Sequence, residues 1–347
     1  MAKSRKQKSK RRQTRRRKQK GGSQENNNLA EAIRRSLKNV KKNGASAAVK
    51  NSNTTKSQGA LGAGNNSNKR ANEVKPLASM PQICFGTVQS NLEHTLPKAL
   101  EVGYRHIDGA DAYESISPGH RKTIRSALAN FMAKGHSREE LWITWKSDSI
   151  TSESIQQRIK QLGCTYIDLF LIHHFDNNTL SGNIRMLDEL SKAKDAGLIH
   201  QFGVSNCEDS ETVKKLKGSY DIYANQIQAR PPGGQVHRRK LMIPDFVAQC
   251  NAIGVHCMFF ASMSGVSEVY PEWYFDDTIK EMINKYYIQR FLKPSNVLIV
   301  ASINPSSGSL EENFRNVNTF LRTGKLLEEK EMEAMEKRLK SITLAYM

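Results

Sequence analysis

The chain has 347 residues, with 53 Lys and Arg against 34 Asp and Glu, for a formal charge of +19. Residues 1–75 hold that whole excess, with 22 basic and 3 acidic side chains, and they contain no Phe, Tyr, Trp, Pro or Cys. A segment of this composition cannot bury enough apolar surface to offset its chain entropy, so it excludes an N-terminal globular domain. The expected organisation is a disordered basic tail at 1–75 and one charge-balanced domain at 76–347. No apolar run reaches the ~18 residues of a membrane helix. The charged N-terminus, with no apolar stretch behind it, argues against a secretory signal. It also lacks the apolar face of a mitochondrial leader. The five cysteines, Cys84, Cys164, Cys207, Cys250 and Cys257, are odd in number, widely spaced and without a CxxC pair. They point to no metal site and to a reducing, intracellular setting, cytoplasmic or nuclear.

Within the tail, residues 1–20 carry 12 Lys or Arg before Gly21-Gly22. Such a block suits phosphate neutralisation on nucleic acid or reading by an import receptor, and equally a solvated, solubilising tail. Leu29, Ile33, Leu37 and Val40 share one helical face, so a short helix is expected at 29–41. Residues 43–72 then read as flexible linker.

From Met80 short apolar runs alternate with helical periodicity. Strands are expected at Ile83–Thr87, Arg105–Asp108, Leu141–Lys146, Ile167–His173, Gln201–Ser205, Tyr223–Ile227, Val255–Phe260 and Asn296–Ala301. Amphipathic helices fall between them at Arg121–Lys134, Ser152–Leu162, Ile184–Ala196 and Glu211–Leu216. Alternation of this kind predicts an α/β chain with parallel strands, and eight such units close a (β/α)8 TIM barrel. An open doubly wound sheet is the competitor. It would carry G-x-G-x-x-G after the first strand, and none is there.

Polar residues at the carboxyl ends of barrel strands face the mouth, where chemistry is done. That rule selects Asp108, Lys146, His173, Ser205, Asn206 and Gln226. Each alone has a structural explanation, as a cap, a loop start or a core histidine. Their joint appearance at one rim points to a site.

The motifs GYRHIDGADAY (103–113), LWITWK (141–146), YIDLFLIHH (166–174), FGVSNC (202–207) and NQIQ (225–228) resemble, in order and spacing, the signatures of the aldo-keto reductase superfamily. MPQICFGT (80–87) and LEENFRN (310–316) fit as well. The resemblance implies reduction of an aldehyde or ketone by hydride from a nicotinamide cofactor, with NADP(H) favoured over NAD(H). It implies Tyr113 as the general acid, Lys146 as its neighbouring positive charge, Asp108 as the partner of Lys146, and His173 as the hydrogen-bond donor to the carbonyl. It further assigns Ser205, Asn206 and Gln226 to the nicotinamide carboxamide and Phe260 to stacking on its ring. Ser302 falls in the phosphate-gripping stretch, and Glu312 and Asn313 lie near the adenine. His174 stands where the family more often has an aromatic, and is expected to line the pocket.

Three departures accompany the resemblance. The stretch after strand eight reads IVASINPSSGSLEEN (299–313), with Ala301, Ser306, Ser307 and Ser309 where the family carries cations for the 2′-phosphate of NADPH. Arg315 is the remaining candidate cation. The segment at 285–294 looks compressed, and the loop at 176–182 is brief. The competing functional reading is a catalytically weak barrel that binds nucleotide and serves as a regulatory or interaction module, its basic tail on nucleic acid. A monomer acting on a small carbonyl substrate is the expectation.

Overall fold

Eight parallel strands close on themselves: β1 (Ile83–Gly86), β2 (His106–Ala110), β3 (Trp142–Ser147), β4 (Ile167–Ile172), β5 (Ile199–Ser205), β6 (Ala224–Gln228), β7 (His256–Phe260) and β8 (Val297–Ala301). Each strand pairs with the next, and β8 pairs back onto β1 through Ile83 opposite Leu298 and Gly86 opposite Ala301. The sheet is therefore a closed barrel, not a doubly wound open sheet. This computed structural model describes residues 79–88, 91–175, 180–228, 244–260, 277–293, 295–301 and 310–345. The basic tail, the helix expected at 29–41 and Ser302 lie outside the described residues.

The helices are α1 (Leu92–Val102), α2 (Tyr113–Ile116), α3 (His120–Ala133), α4 (Ser152–Leu162), α5 (Leu180–Asp195), α6 (Ser210–Tyr220), α7 (Pro244–Ala252), α8 (Asp277–Phe291), α9 (Leu310–Thr323) and α10 (Glu329–Ala345). Their ends follow local chemistry. The Thr151 hydroxyl accepts the Ser154 N–H at 3.2 Å and starts α4, and Gly163, at φ 70°, ends it. The Asp209 carboxylate accepts the Thr212 N–H at 3.0 Å and starts α6. Helix α5 begins at Leu180, earlier than the expected Ile184, which shortens the loop after β4 further. Strand β2 runs on to Ala110, past the expected end at Asp108, because Gly109 leaves room for the Trp145 ring: a Cβ there would stand 2.4 Å from it.

Strand periodicity decides what enters the barrel. Cys84, Trp142, Leu169, Leu171, Ala224, Met258, Val297 and Ile299 form one buried cluster with Met80. Two residues further along, the same alternation delivers His173, Gln226 and Phe260 to the carboxyl-terminal mouth, and four residues after Trp142 it delivers Lys146. Asp108 joins them, since it stands opposite Gly86, two residues after Cys84.

Strands β5 and β6 approach closely at Gly203. A Cβ on Gly203 would stand 2.1 Å from the Ala224 carbonyl oxygen. Gly203→Ala is expected to cost about 3 kcal/mol, the scale of overpacking a well-filled interior. Gly218→Ala, in open space on α6, should be neutral or stabilise by about 0.5–1 kcal/mol. Denaturant unfolding of the two variants checks this; equal midpoints would refute the close strand approach.

Candidate active site

Lys146, 1% exposed, donates a short hydrogen bond from Nζ to Oδ2 of Asp108. Gln226 Nε2 donates to the other carboxylate oxygen at 2.7 Å. Burial alone would drive the lysine toward its neutral form, but the Asp108 carboxylate and hydrogen bonding to it, with Tyr113 adding, outweigh burial and leave its pKa raised. The ammonium therefore stays charged. It lies 5.3 Å from the centre of the Tyr113 ring. Burial pushes the Tyr113 phenol up, and the Lys146 charge opposes that push without cancelling it. At neutral pH the site thus holds a protonated phenol beside a fixed cation.

Tyr113 opens the single-turn helix α2, and the loop around it is tied down from several sides. The Glu114 carboxylate accepts N–H bonds from Gly119 at 2.8 Å and Arg121 at 3.3 Å. Gly119, at φ 82°, supplies the left-handed turn into α3. Behind the loop, Asp111 Oδ1 accepts from Trp145 Nε1 at 2.7 Å and pairs with Arg158 Nε at 2.7 Å. Edge-on to the Tyr113 ring are two imidazoles, His173 at 5.9 Å and His120 at 5.6 Å between centroids. His173 is one of the expected residues; its side chain is 12% exposed. Burial, with Lys146 and His174 adding to it, pulls its pKa down to about 4 against the attraction of Asp148. It is a neutral imidazole at pH 7.

His120 was not legible from spacing. It is fully buried, and its Nε2 lies 2.8 Å from the Thr87 hydroxyl. That hydroxyl donates to the Asp108 carbonyl at 2.7 Å, so it accepts the Nε2 proton of His120. The chain of contacts runs from the Asp108 backbone through Thr87 and His120 to the face of Tyr113.

The end of β5 is equally defined. Asn206 sits in the left-handed region at φ 63°, which Asn tolerates better than most residues. Its Nδ2 donates to the His173 carbonyl at 2.9 Å and to Ser205 Oγ at 3.2 Å. Ser205 Oγ in turn donates to the Gln226 carbonyl at 3.0 Å. Hydrogen bonds thus join Asp108, Lys146, Gln226, Ser205, Asn206 and the His173 carbonyl, and the Tyr113 ring lies against Lys146 and His173. Phe260 ends β7 half-buried against the barrel core. Glu312 and Asn313 lie elsewhere, in the first turn of α9. Asn313 is buried there, its Oδ1 accepting from Asn284 on α8. His174, expected to line the pocket, is 57% exposed, stacks on His173 at 4.2 Å and bonds Asp148. Cys207 and Cys257 are buried, and burial pushes the Cys207 thiol up to about 12, in keeping with packing roles.

A closed ring of eight parallel strands alternating with helices is a (β/α)8 barrel. The model of the aldo/keto reductase family matches residues 82–268, more than half of the chain, and the chain belongs to that family. It is 30% identical over 209 residues to aldo-keto reductase AKR2E4 of Bombyx mori, covering 54% of this chain and 63% of that one. It is 30% identical over 219 residues to the (1S)-1,7-diacetoxy-luvungin A aldo-keto reductase of Citrus sinensis, with the same two coverages of 54% and 63%. The match thus spans a little under two thirds of the length of those relatives. Among solved structures, an aldose reductase from Giardia lamblia superposes at TM-score 0.57 with 20% identity, over 77% of this chain and 93% of that one. The Bombyx mori AKR2E4 complex with NADP superposes at TM-score 0.51 with 21% identity, over 74% and 89%. At those identities the likeness is one of fold.

Burial pulls the pKa of His120 from its ordinary 6.5 down to about 4. The unfolded chain takes up this proton near 6.5 and the folded chain only near 4, so stability falls as pH drops through that window. His120→Gln should abolish this contribution, at most about 3 kcal/mol. Urea midpoints of both proteins between pH 7 and 4 test it; parallel curves would refute the assignment.

Proposed function

We propose that the chain is an NAD(P)H-dependent oxidoreductase that reduces an aldehyde or ketone to an alcohol, with Tyr113 as general acid. The observation that carries this reading is the buried Lys146–Asp108 pair set against the Tyr113 ring. Reduction of a carbonyl builds negative charge on its oxygen, and that charge needs a proton and a fixed positive field. Tyr113 O–H supplies the proton. Lys146 stabilises the phenolate that remains, and Asp108 keeps Lys146 charged and aimed. His173, neutral and edge-on to Tyr113, donates a hydrogen bond to the same oxygen and orients the substrate.

The groups at the ends of β5, β6 and β7 fit a nicotinamide. They are a hydroxyl (Ser205), two carboxamides (Asn206 and Gln226) and a half-buried aromatic ring (Phe260), all uncharged, as a carboxamide and a flat ring require. When bound, the reduced nicotinamide supplies the hydride. NADP(H) is the favoured nucleotide, in line with the NADP bound by the Bombyx mori protein. In this chain Ser302 and the serines up to Ser309 stand in the phosphate-gripping stretch, with Arg315 exposed on α9 and Glu312 and Asn313 toward the adenine.

Titrating the protein with NADPH and NADH, followed by fluorescence of Trp142 and Trp145, should show binding of both, with NADPH the tighter. Tyr113→Phe should lower kcat by about 10²–10⁴-fold while leaving nucleotide affinity intact. Unchanged reduction in that variant would sink the proposal. Wild-type binding without turnover on any aldehyde or ketone would favour the regulatory module instead. In the alcohol-oxidising direction Tyr113 must be ionised. Lys146→Met removes the cation that restrains its pKa, so the ascending limb of the pH–rate profile should move to higher pH.

A further inference from the structure

Just beyond the adjacent strands β3 and β4, three ligating side chains converge. Two of them, Asp148 and His174, have no part in carbonyl reduction. His174 Nδ1 lies 3.1 Å from Oδ1 and 3.0 Å from Oδ2 of Asp148. His173 Nδ1 lies 3.8 Å from the same Oδ2, and all three ligand atoms fall within 4.8 Å of one another. The carboxylate is held in place, because its Oδ1 accepts the His174 backbone N–H at 2.9 Å. Nδ1 of His173 is buried and has no hydrogen-bond partner among the described residues. It has no proton acceptor within bonding distance, yet it faces a carboxylate and a second imidazole.

We propose that Asp148, His173 and His174 form a binding site for a divalent transition-metal ion, with zinc as the best match. Zinc takes imidazole nitrogen and carboxylate oxygen at about 2.0–2.2 Å in a tetrahedron, which puts ligand atoms about 3.3 Å apart. The 3.0 and 3.8 Å separations bracket that spacing. Two imidazoles in a set of three disfavour magnesium and calcium, which want oxygen. With Asp148 51% and His174 57% exposed, the fourth position is open to water. The ion takes the place of the His174 Nδ1 proton, which passes through water to Nε2 of that half-exposed ring. On His173 it occupies Nδ1 and confines the remaining proton to Nε2. If the reductase reading holds, this fixes His173 as a donor toward the substrate; the site itself does not depend on that reading.

Calorimetric titration of the full chain with zinc chloride and magnesium chloride at pH 7.5 tests the proposal. One zinc should bind per chain, and magnesium should not compete. Asp148→Asn and His174→Phe, both at exposed positions and each checked by circular dichroism, should weaken zinc by about tenfold or more. Tyr113→Phe should bind zinc as the wild type does, so loss of turnover and loss of metal are separable. Absence of zinc binding, or unchanged affinity in both site variants, would overturn the proposal.

Discussion

An ammonium and a carboxylate buried together at the end of a barrel impose the strictest condition in this structure. Each ion alone would cost several kcal/mol to desolvate, and removing one partner of such a pair costs about 3–5 kcal/mol. Asp108 and Lys146 are tolerable only because β2 and β3 are neighbours, with Asp108 opposite Thr144 and Ala110 opposite Lys146. Gln226 reaches across from β6 to satisfy the second carboxylate oxygen. Well-packed apolar residues would serve stability at least as well. On the proposed function the pair is kept for its chemistry, holding a cation beside the phenol that would give up its proton.

The rest of the mouth keeps that geometry from relaxing. Strand β3 presents Lys146 to the interior and Trp145 to the outside, and both faces serve Tyr113. Inside, the cation sits by the ring; outside, Trp145, Asp111 and Arg158 back the loop that carries it. The absent side chain of Gly109 is what lets the indole come this close to β2. On the other flank hydrogen bonds link the Asp108 backbone through Thr87 to His120, whose ring packs against the tyrosine.

Much of this was legible in the chain. All eight strands fell within two residues of their expected bounds, because parallel strands covered by helices are apolar on both faces and stand out against the amphipathic segments. The polar residues at strand ends were equally visible, since an Asp or Lys closing an apolar run has few structural uses. His120 gave no such signal. It sits on a helix with ordinary periodicity, and only the turn at Gly119 swings it against Thr87 and Tyr113. Asp148 carries no motif or period of its own, and His174 is expected only to line the pocket. Their meeting depends on β3 and β4 lying side by side, a relation between segments more than 20 residues apart.

The amino-acid sequence by itself determines the alternation of strand and helix, hence the barrel. It also determines which strand ends carry charge, because those are properties of short stretches with their own period and composition. Only the tertiary structure decided which of those charges touch, which histidines flank the tyrosine and which nitrogen of His173 lacks a partner. The reason is physical: a pair such as Gln226 and Asp108, 118 residues apart, meets only after the barrel has closed and burial has removed the water that would otherwise satisfy each group alone.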